Sequence, residues 1–576
     1  MSGTAATAGE SRWASWARRH ALFGGALALG IAIRVVVVYA YRPALLYTDT
    51  FAYLSSARSL RLLPERTIGY SFFLRPFVLG FHHLTTAMSA VQIVQHVIGL
   101  ALAVAVYAFL RRRGLPGWGA TLAALPLLLD PLELVLEAYV LSDLLFAAFL
   151  VAAVLALFWD RRPGRVAVAV AGLMIGFATI VRGAGTFLAI AFVVALLFLR
   201  VPWRRVVAFL VAFAVPVAAY SFAYLGQHGQ FATTGAGPDF LYARIAPFAD
   251  CDSPSLQLTG EQRQLCPSQP IGERKDVNQF RWDADSPLQT VKTPPGLSHE
   301  QLVSGFNKAV LRAQPLDYAS AVLKDIARGF APTRHEQVAG YPSAYWLFAG
   351  DYWMGSVDTG AGVKDPIMQQ VSAHTGAAGF LAHYRTYLYL PGPLAALLLL
   401  LGLVAALGFG RSRRSGNRVL IGTATGACLL VLATGAALSS FSWRYQLPQI
   451  ALVPMAGALA IAALVRGRAP GTPDPLPPVR PLDRGAALLA RLPLPERGRT
   501  ALERATGTGA AQMLVAALLG LVTAIVVAVG GIGSGYFRAG PAAVVGLVAG
   551  AVVGVLLVVG RARLAREEAR EGSPTG

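Results

Sequence analysis

Long apolar runs decide what this chain can become. Most are about 18–25 residues long, the length a helix needs to cross a hydrocarbon core of about 30 Å. They fall at residues 21–41, 87–110, 116–135, 138–158, 166–183, 185–200, 206–226, 387–409, 419–438, 447–465, 513–530 and 541–560. A soluble globule would need a charged shell over so much apolar surface. Here 55% of residues are hydrophobic and 14% charged, with a mean hydropathy of +0.54, whereas soluble domains carry about 25% charged residues. A soluble fold is excluded. The expected class is an all-α polytopic membrane protein of about 12 transmembrane helices.

The formal charge of +20 would suggest nucleic acid if it were spread over one surface. It is not. Residues 227–386 hold 13 Lys+Arg against 15 Asp+Glu, a net of −2, which leaves +22 for the remainder. That excess lies in short clusters beside apolar runs: Arg18-Arg19, Arg111-Arg112-Arg113, Arg161-Arg162, Arg204-Arg205, Arg411-Arg413-Arg414, Arg466-Arg468 and Arg561-Arg563. Short basic loops stay cytoplasmic, and every second apolar run exits into such a cluster. The expected order is therefore a cytoplasmic N-terminus (1–20), a core (21–226) whose first external loop is 42–86, an external insertion (227–386) and further core helices (387–465). A Pro/Arg-rich cytoplasmic linker (466–512), a C-terminal hairpin (513–560) and a cytoplasmic tail (561–576) complete it. The first run lacks a small-residue cleavage site and reads as a retained anchor in the cytoplasmic (plasma) membrane.

Cys251 and Cys266 fall in the external insertion, while Cys428 lies within a span. In an oxidising compartment, with no His or further Cys spaced nearby, the first two read as a disulfide and not as metal ligands. In the first loop, Phe51, Leu54 and Leu60 fall on one stripe with Arg58 and Arg61 on the polar side, a pattern suited to a membrane interface. Ile68–Leu79 is too short to span. In the insertion, a Pro/Gly/Asp-rich coil precedes a helix from His299 to about Phe330, broken at Pro315, with Leu302, Phe306, Val310 and then Leu316, Ala319, Leu323 and Ile326 on a similar face. An aromatic cluster, Tyr341 to Phe348, follows, so the insertion is expected to be mainly helical.

Asp49 precedes the first-loop helix, where it is suited both to N-capping and to accepting a proton from a hydroxyl. Asp130-Pro131-Leu132-Glu133 reads as a capping box with proline at the first helical position. Glu137 and Asp143 have no such account, and carboxylates at membrane depth are functional by default. Arg34, Arg182 and Arg444 stand against the topology bias. An anionic lipid phosphate would explain them, since a guanidinium matches phosphate with two parallel donors. Salt bridges to Asp49 or Glu137 are the alternative.

Asp49 in the first loop, Gly69-Tyr70-x-x-Phe73-Leu74-Arg75-Pro76, Ser142-Asp143 and Ser442-x-Arg444-Tyr445-x-x-Pro448, in that order, resemble the GT-C superfamily of membrane glycosyltransferases over about residues 20–465. The branch they are most similar to is the protein mannosyltransferase and aminoarabinose transferase group. The resemblance implies a GT-C-like fold and an inverting enzyme that takes a hexose or pentose from a polyprenyl-phosphate carrier on the outer face. It implies Asp49 as general base, and Arg444 and Arg182 at the donor phosphate. Glu137, Asp143, Arg75 and Tyr445 are candidates for orienting donor or acceptor. Thr48-Asp49-Thr50 carries one carboxylate where some members carry two, so neither a metal nor a further cofactor is expected beyond the lipid-linked sugar. Expected partners are that donor, membrane lipids and a glycan, lipid or protein acceptor, with no nucleic acid. A twelve-helix transporter or lipid flippase, and a non-catalytic subunit of polysaccharide assembly, are the competing readings. The first would show pseudo-symmetric halves and broken helices at mid-membrane; the second would tolerate loss of Asp49.

Overall fold

The structure is a computed structural model, described here for residues 4–274, 276–334, 346–350 and 370–466. With no water in a bilayer core, backbone groups must be satisfied within the segment, and the apolar runs accordingly form helices. The first half comprises α1 (Thr4–Ala40), α2 (Thr48–Ser59), α3 (Gly69–Gly80), α4 (Leu84–Arg112), α5 (Gly117–Leu129), α6 (Pro131–Ala138), α7 (Asp143–Phe158), α8 (Arg165–Val181), α9 (Gly185–Phe198) and α10 (Trp203–His228). The insertion contributes α11 (Gly237–Ile245), α12 (Gly260–Arg263), α13 (Val277–Trp282), α14 (Pro287–Thr290), α15 (His299–Ala313), α16 (Pro315–Arg328) and α17 (Thr375–Tyr384). The core then closes with α18 (Gly392–Leu407), α19 (Arg418–Leu438) and α20 (Leu447–Arg466). The two short strands β1 (Tyr41–Arg42) and β2 (Ser372–Ala373) pair antiparallel and tie the end of α1 to the insertion.

This is a multi-pass membrane protein, but its helices are less uniform than twelve equal crossings. Five helical segments are long and apolar enough to span: Arg18–Ala40, Leu84–Arg112, Trp203–His228, Arg418–Leu438 and Trp443–Arg466. The predicted run 116–135 is instead broken, with α5 and α6 bent by 44° where Asp130 and Pro131 end one helix and start the next. The run at 138–158 becomes helical only from Asp143, and α7, α8, α9 and α18 have 16, 17, 14 and 16 residues. At about 1.5 Å per residue, none of these four reaches about 30 Å. The runs 513–530 and 541–560, with the linker and tail, lie outside the described residues.

The arginine clusters do meet at one end of the bundle. Arg112 pairs with Asp160 at 2.6 Å, and Arg113 reaches Asn417 Oδ1 at 3.4 Å. Arg205 donates to Pro163 O at 2.8 Å and Arg411 to Val465 O at 2.7 Å. At the other end the insertion has its own small core, in which Leu302, Val303, Phe306 and Val310 of α15 pack with Tyr242, Leu265 and Phe280. Cys251 and Cys266 are disulfide-bonded against it. Past Pro315 the expected continuation of the stripe fails. Leu316 is 81% and Leu323 65% exposed, because α16 turns its polar side inward: Asp325 is buried against Arg244 at 3.0 Å, and Tyr318 donates to Ala437 O at the end of α19.

Small residues set the tightest helix contact, between α8 and α10. A Cβ at Gly172 would stand 2.3 Å from Phe209 O, and one at Gly176 2.6 Å from Phe213 O. Gly-x-x-x-Gly spacing lets backbones approach in this way. Gly172→Val is therefore expected to destabilise the bundle by about 1–3 kcal/mol through overpacking against unyielding backbone. Thermal unfolding in detergent checks this, with Gly24→Val, inside α1 and with nothing within 4 Å of the added Cβ, as the silent control.

Candidate functional site

The chain leaving α1 forms the floor of the site. Leu45 N donates to Ala138 O and accepts, through its carbonyl, from Val140 N, each at 3.0 Å. Residues 45–50 thereby lie beside the bend between α6 and α7, which brings Asp49 next to the start of α7. Thr50 Oγ1 donates to Val140 O, and Tyr53 OH bonds Ser142 Oγ, both at 3.0 Å.

Asp49 is not the N-cap of α2. Tyr47 holds that place, with its N–H donating to Thr50 Oγ1 at 2.9 Å, and Asp49 sits inside the first turn, 5% exposed. Its freed carboxylate is held from both sides. Arg66 Nη2 donates to Oδ1 at 2.6 Å and Arg444 Nη2 to Oδ2 at 3.0 Å. The buried face of α2 consequently carries Asp49, Tyr53 and Ser56 as well as Leu54, while Leu60 lies past the helix end at φ +57° and is exposed. Burial pushes the Asp49 carboxyl up, but Arg66, then Arg444 and Arg182, more than reverse this and hold it below the usual carboxylate range.

Asp143 opens α7, buried, and joins the same group. Arg182, released by the end of α8, pairs with it, and Arg444 Nε lies 3.7 Å from its Oδ1. Tyr445 stacks between the two cations, its ring centre 5.1 Å from the Arg182 guanidinium and 5.5 Å from that of Arg444. Gly435 leaves room for this ring, since a Cβ there would stand 3.1 Å from Tyr445 Cδ2. Arg444 also packs over Trp346 at 5.3 Å and Tyr47 at 5.8 Å. Of the aromatic cluster at 341–348, Trp346 and Phe348 are buried, and 341–345 lie outside the described residues. The insertion clamps the Arg444 turn: Asp325 accepts from Phe441 N at 3.1 Å, and Gln446 donates to Gly329 O at 2.6 Å.

Most of these side chains border a cavity of about 280 Å³ whose lining includes Arg66, Asp143, Arg182, Arg444 and Tyr445 together with Glu65, Thr233, Thr234 and Phe240. Three guanidiniums thus meet the carboxylates of Asp49 and Asp143, and Glu65 adds a further carboxylate to the lining. A larger cavity of about 650 Å³ lies between α5, α18 and α20, but it is almost wholly apolar and none of the site candidates lines it. Among the described residues no three His, Cys, Asp or Glu side chains are grouped as a metal site would require.

The structure thus brings together Asp49, Asp143, Arg182, Arg444 and Tyr445, and leaves two candidates elsewhere. Glu137 is fully buried against Arg34, which grips it at 2.6 and 2.8 Å, and against His96 Nδ1 at 2.6 Å. Arg34 also donates to Leu127 O and Leu128 O, carbonyls that the end of α5 leaves without helical partners. Both charges therefore serve the α5–α6 break. Arg75 donates to Ala57 O at 2.7 Å and Arg58 O at 3.1 Å, closing the end of α2. Asp130 caps α6, accepting from Leu132 N at 2.8 Å, and in addition holds Arg334 at 2.6 and 2.9 Å, but the expected capping box does not close, since Glu133 is buried with its Oε2 unpartnered. Arg66 was missed by the sequence reading. The signal was present, since it is an arginine in the same loop as Asp49. The turn Leu63–Arg66, closed by an antiparallel bridge, aims it at the carboxylate.

No family model matches the chain, and no curated protein does. Among solved structures it is similar to archaeal oligosaccharyltransferase AglB from Archaeoglobus fulgidus in complex with an inhibitory peptide and a dolichol-phosphate, at 13% identity and a TM-score of 0.39, covering 88% of this chain and 56% of that one. It is similar also to the apo form of an Archaeoglobus fulgidus oligosaccharyltransferase, at 13% identity and a TM-score of 0.37 over the same shares. The chain spans little more than half the length of these structures.

Proposed function

We propose that the protein is a GT-C-type glycosyltransferase that moves a sugar from a polyprenyl-phosphate donor to an acceptor hydroxyl, with inversion, on the outer face of the cytoplasmic membrane. The observation that carries this is the convergence of Arg66, Arg182 and Arg444 on Asp49 and Asp143, with the three arginines and Asp143 lining one cavity and Asp49 directly behind Arg66 and Arg444. The end remote from the basic clusters is the outer one by the positive-inside rule.

The donor phosphate binds Arg444 and Arg182, whose forks suit its oxygens. As the bond from sugar C1 to the phosphate oxygen breaks, its electron pair stays on the lipid phosphate. Fixed guanidiniums stabilise that growing charge with no reorganisation. The acceptor oxygen attacks C1 from the opposite face and forms the new glycosidic bond, while its proton passes to Asp49. A phosphate that engages Arg444 also draws it from Asp49 Oδ2, so donor arrival frees the base. In this reading donor binds before acceptor.

The ion pairs give this a pH signature. In the free protein the arginines depress the Asp49 carboxyl; with Arg444 turned to phosphate, part of that depression is lost and burial still acts upward. The acid limb of kcat/KM for the donor, which reports the free enzyme, is expected below about pH 4, and that of kcat, which reports the donor complex, at higher pH. Transfer of radiolabelled sugar from a polyprenyl-phosphate donor by the purified protein, followed across pH, tests both points. Absence of transfer, with lipid translocation in reconstituted vesicles instead, would replace this reading by the flippase. An acid limb of kcat at or below that of kcat/KM would contradict the arginine exchange.

A further inference from the structure

Glu65 and Phe240 also line the cavity but have no part in the reaction above, and they continue onto a built surface. Phe240 lines the cavity and meets the ring of Trp282 edge to face at 6.1 Å. Trp282 ends α13 and is 48% exposed. Arg281, itself buried, stacks on both rings, 4.1 Å from the Trp282 centre and 5.1 Å from that of Phe240. Around them stand Glu65 and Asp239, whose oxygens lie 3.9 and 3.7 Å from Arg281 Nη2, and His299, 3.4 Å from Asp239. Glu65 belongs to the same turn as Arg66, so one loop supplies a charge to the phosphate end and another to this rim.

An exposed indole backed by a buried guanidinium is a rigid plate that loses little entropy when something covers it. Its chemistry selects among occupants. Acyl chains would strip water from Glu65, Asp239 and His299 without replacing it. A peptide is commonly held through an open strand edge, and the only strands among the described residues, β1 and β2, are two residues long and pair with each other. A saccharide satisfies both halves of the surface. The C–H face of a sugar ring lies on the indole, and its hydroxyls donate to the carboxylates in charge-assisted hydrogen bonds.

We propose that this rim is an acceptor subsite for a saccharide chain. The terminal sugar enters the cavity, and the preceding residues pass Phe240 to lie on Trp282, with hydroxyls donating to Glu65 and Asp239. The acceptor is then a preformed glycan, lengthened by one sugar at each transfer. This rests on the glycosyl-transfer reading of the cavity, but binding of the glycan needs no turnover and is measured separately.

The test uses the full-length protein in nanodiscs. Saturation-transfer NMR is recorded with linear hexose and pentose tetrasaccharides, the matching monosaccharides and an unglycosylated peptide, and decaprenyl phosphate affinity is measured in parallel. At least one tetrasaccharide is expected to bind, its monosaccharide more weakly. Trp282→Ala is expected to weaken the tetrasaccharide by about tenfold, the effect of losing a stacking surface, and Trp282→Phe to recover most of it. Decaprenyl phosphate affinity should not change in either variant, while the unfolding midpoint falls slightly in Trp282→Ala, where Arg281 loses its stack, and returns in Trp282→Phe. Failure of every tetrasaccharide to bind, equal binding by Trp282→Ala, or Trp282-dependent binding of the peptide instead overturns the subsite. Lipid phosphate binding with no saccharide binding sinks the subsite and leaves the proposed function standing. Trp282-dependent saccharide binding with no lipid phosphate binding does the reverse.

Discussion

Asp49→Asn is expected to lower the rate of sugar transfer by about 10²–10⁴, the usual contribution of a general base. The structure adds two consequences. Asn keeps the shape of a side chain that is 5% exposed but leaves Arg66 and Arg444 short of one negative charge, so the unfolding midpoint should fall. Arg66 is partly exposed and Arg444 retains Asp143 at 3.7 Å. The loss should therefore stay below the roughly 3–5 kcal/mol seen when a fully buried pair is broken. Donor affinity should be equal or tighter, because the amide competes less with phosphate for Arg444. Slow transfer with donor binding intact is thus the signature of a missing base, and slow transfer with weak donor binding would indicate a damaged site. A purified Asp49→Asn protein that transfers at the wild-type rate eliminates Asp49 as base.

Arg444→Ala is expected to act on donor binding, by about 1.5–3 kcal/mol for a hydrogen bond to a charged group, or roughly 10–150-fold in affinity. The substitution also removes the stack on Trp346, Tyr47 and Tyr445 and exposes one oxygen of Asp49 to a desolvated environment. Arg444→Lys separates these effects. It keeps the charge beside Asp49 but loses the fork, so stability should return while donor binding recovers only in part. Equilibrium binding of decaprenyl phosphate to the three proteins is the measurement. Unchanged affinity in Arg444→Ala would remove this residue from the donor site.

Several parts of this molecule were legible without coordinates because their causes are local. A long apolar run at membrane depth must form a helix, so helices stand at the positions of ten of the predicted runs. A basic cluster resists crossing, so Arg111–Arg113, Arg161-Arg162 and Arg411–Arg414 end up together. A lone cysteine pair in the insertion forms its disulfide. Of the arginines that opposed the topology bias, Arg182 and Arg444 line one cavity with Asp143, and Arg444 pairs with Asp49 behind it, since a desolvated charge requires a partner wherever the chain can bring one.

Which partner it finds is another matter, and that was decided only by packing. Asp49 and Arg444 are 395 residues apart, and nothing near either of them specifies the other. Arg34 and Glu137 looked equally eligible for the site, yet the bend at Asp130 leaves carbonyls of α5 open and draws Arg34 to them, carrying Glu137 along. Arg75 was claimed by the end of α2, and Arg66 by a two-residue bridge that aims it at Asp49. The stripe of α16 faces outward because burying Asp325 against Arg244 and the Phe441 amide turned the helix over. Sequence determines the local requirement, a charge that must be neutralised or a carbonyl that must be capped. The tertiary fold decides which of several chemically equivalent partners meets it, because only the helix packing brings two of them within about 3 Å.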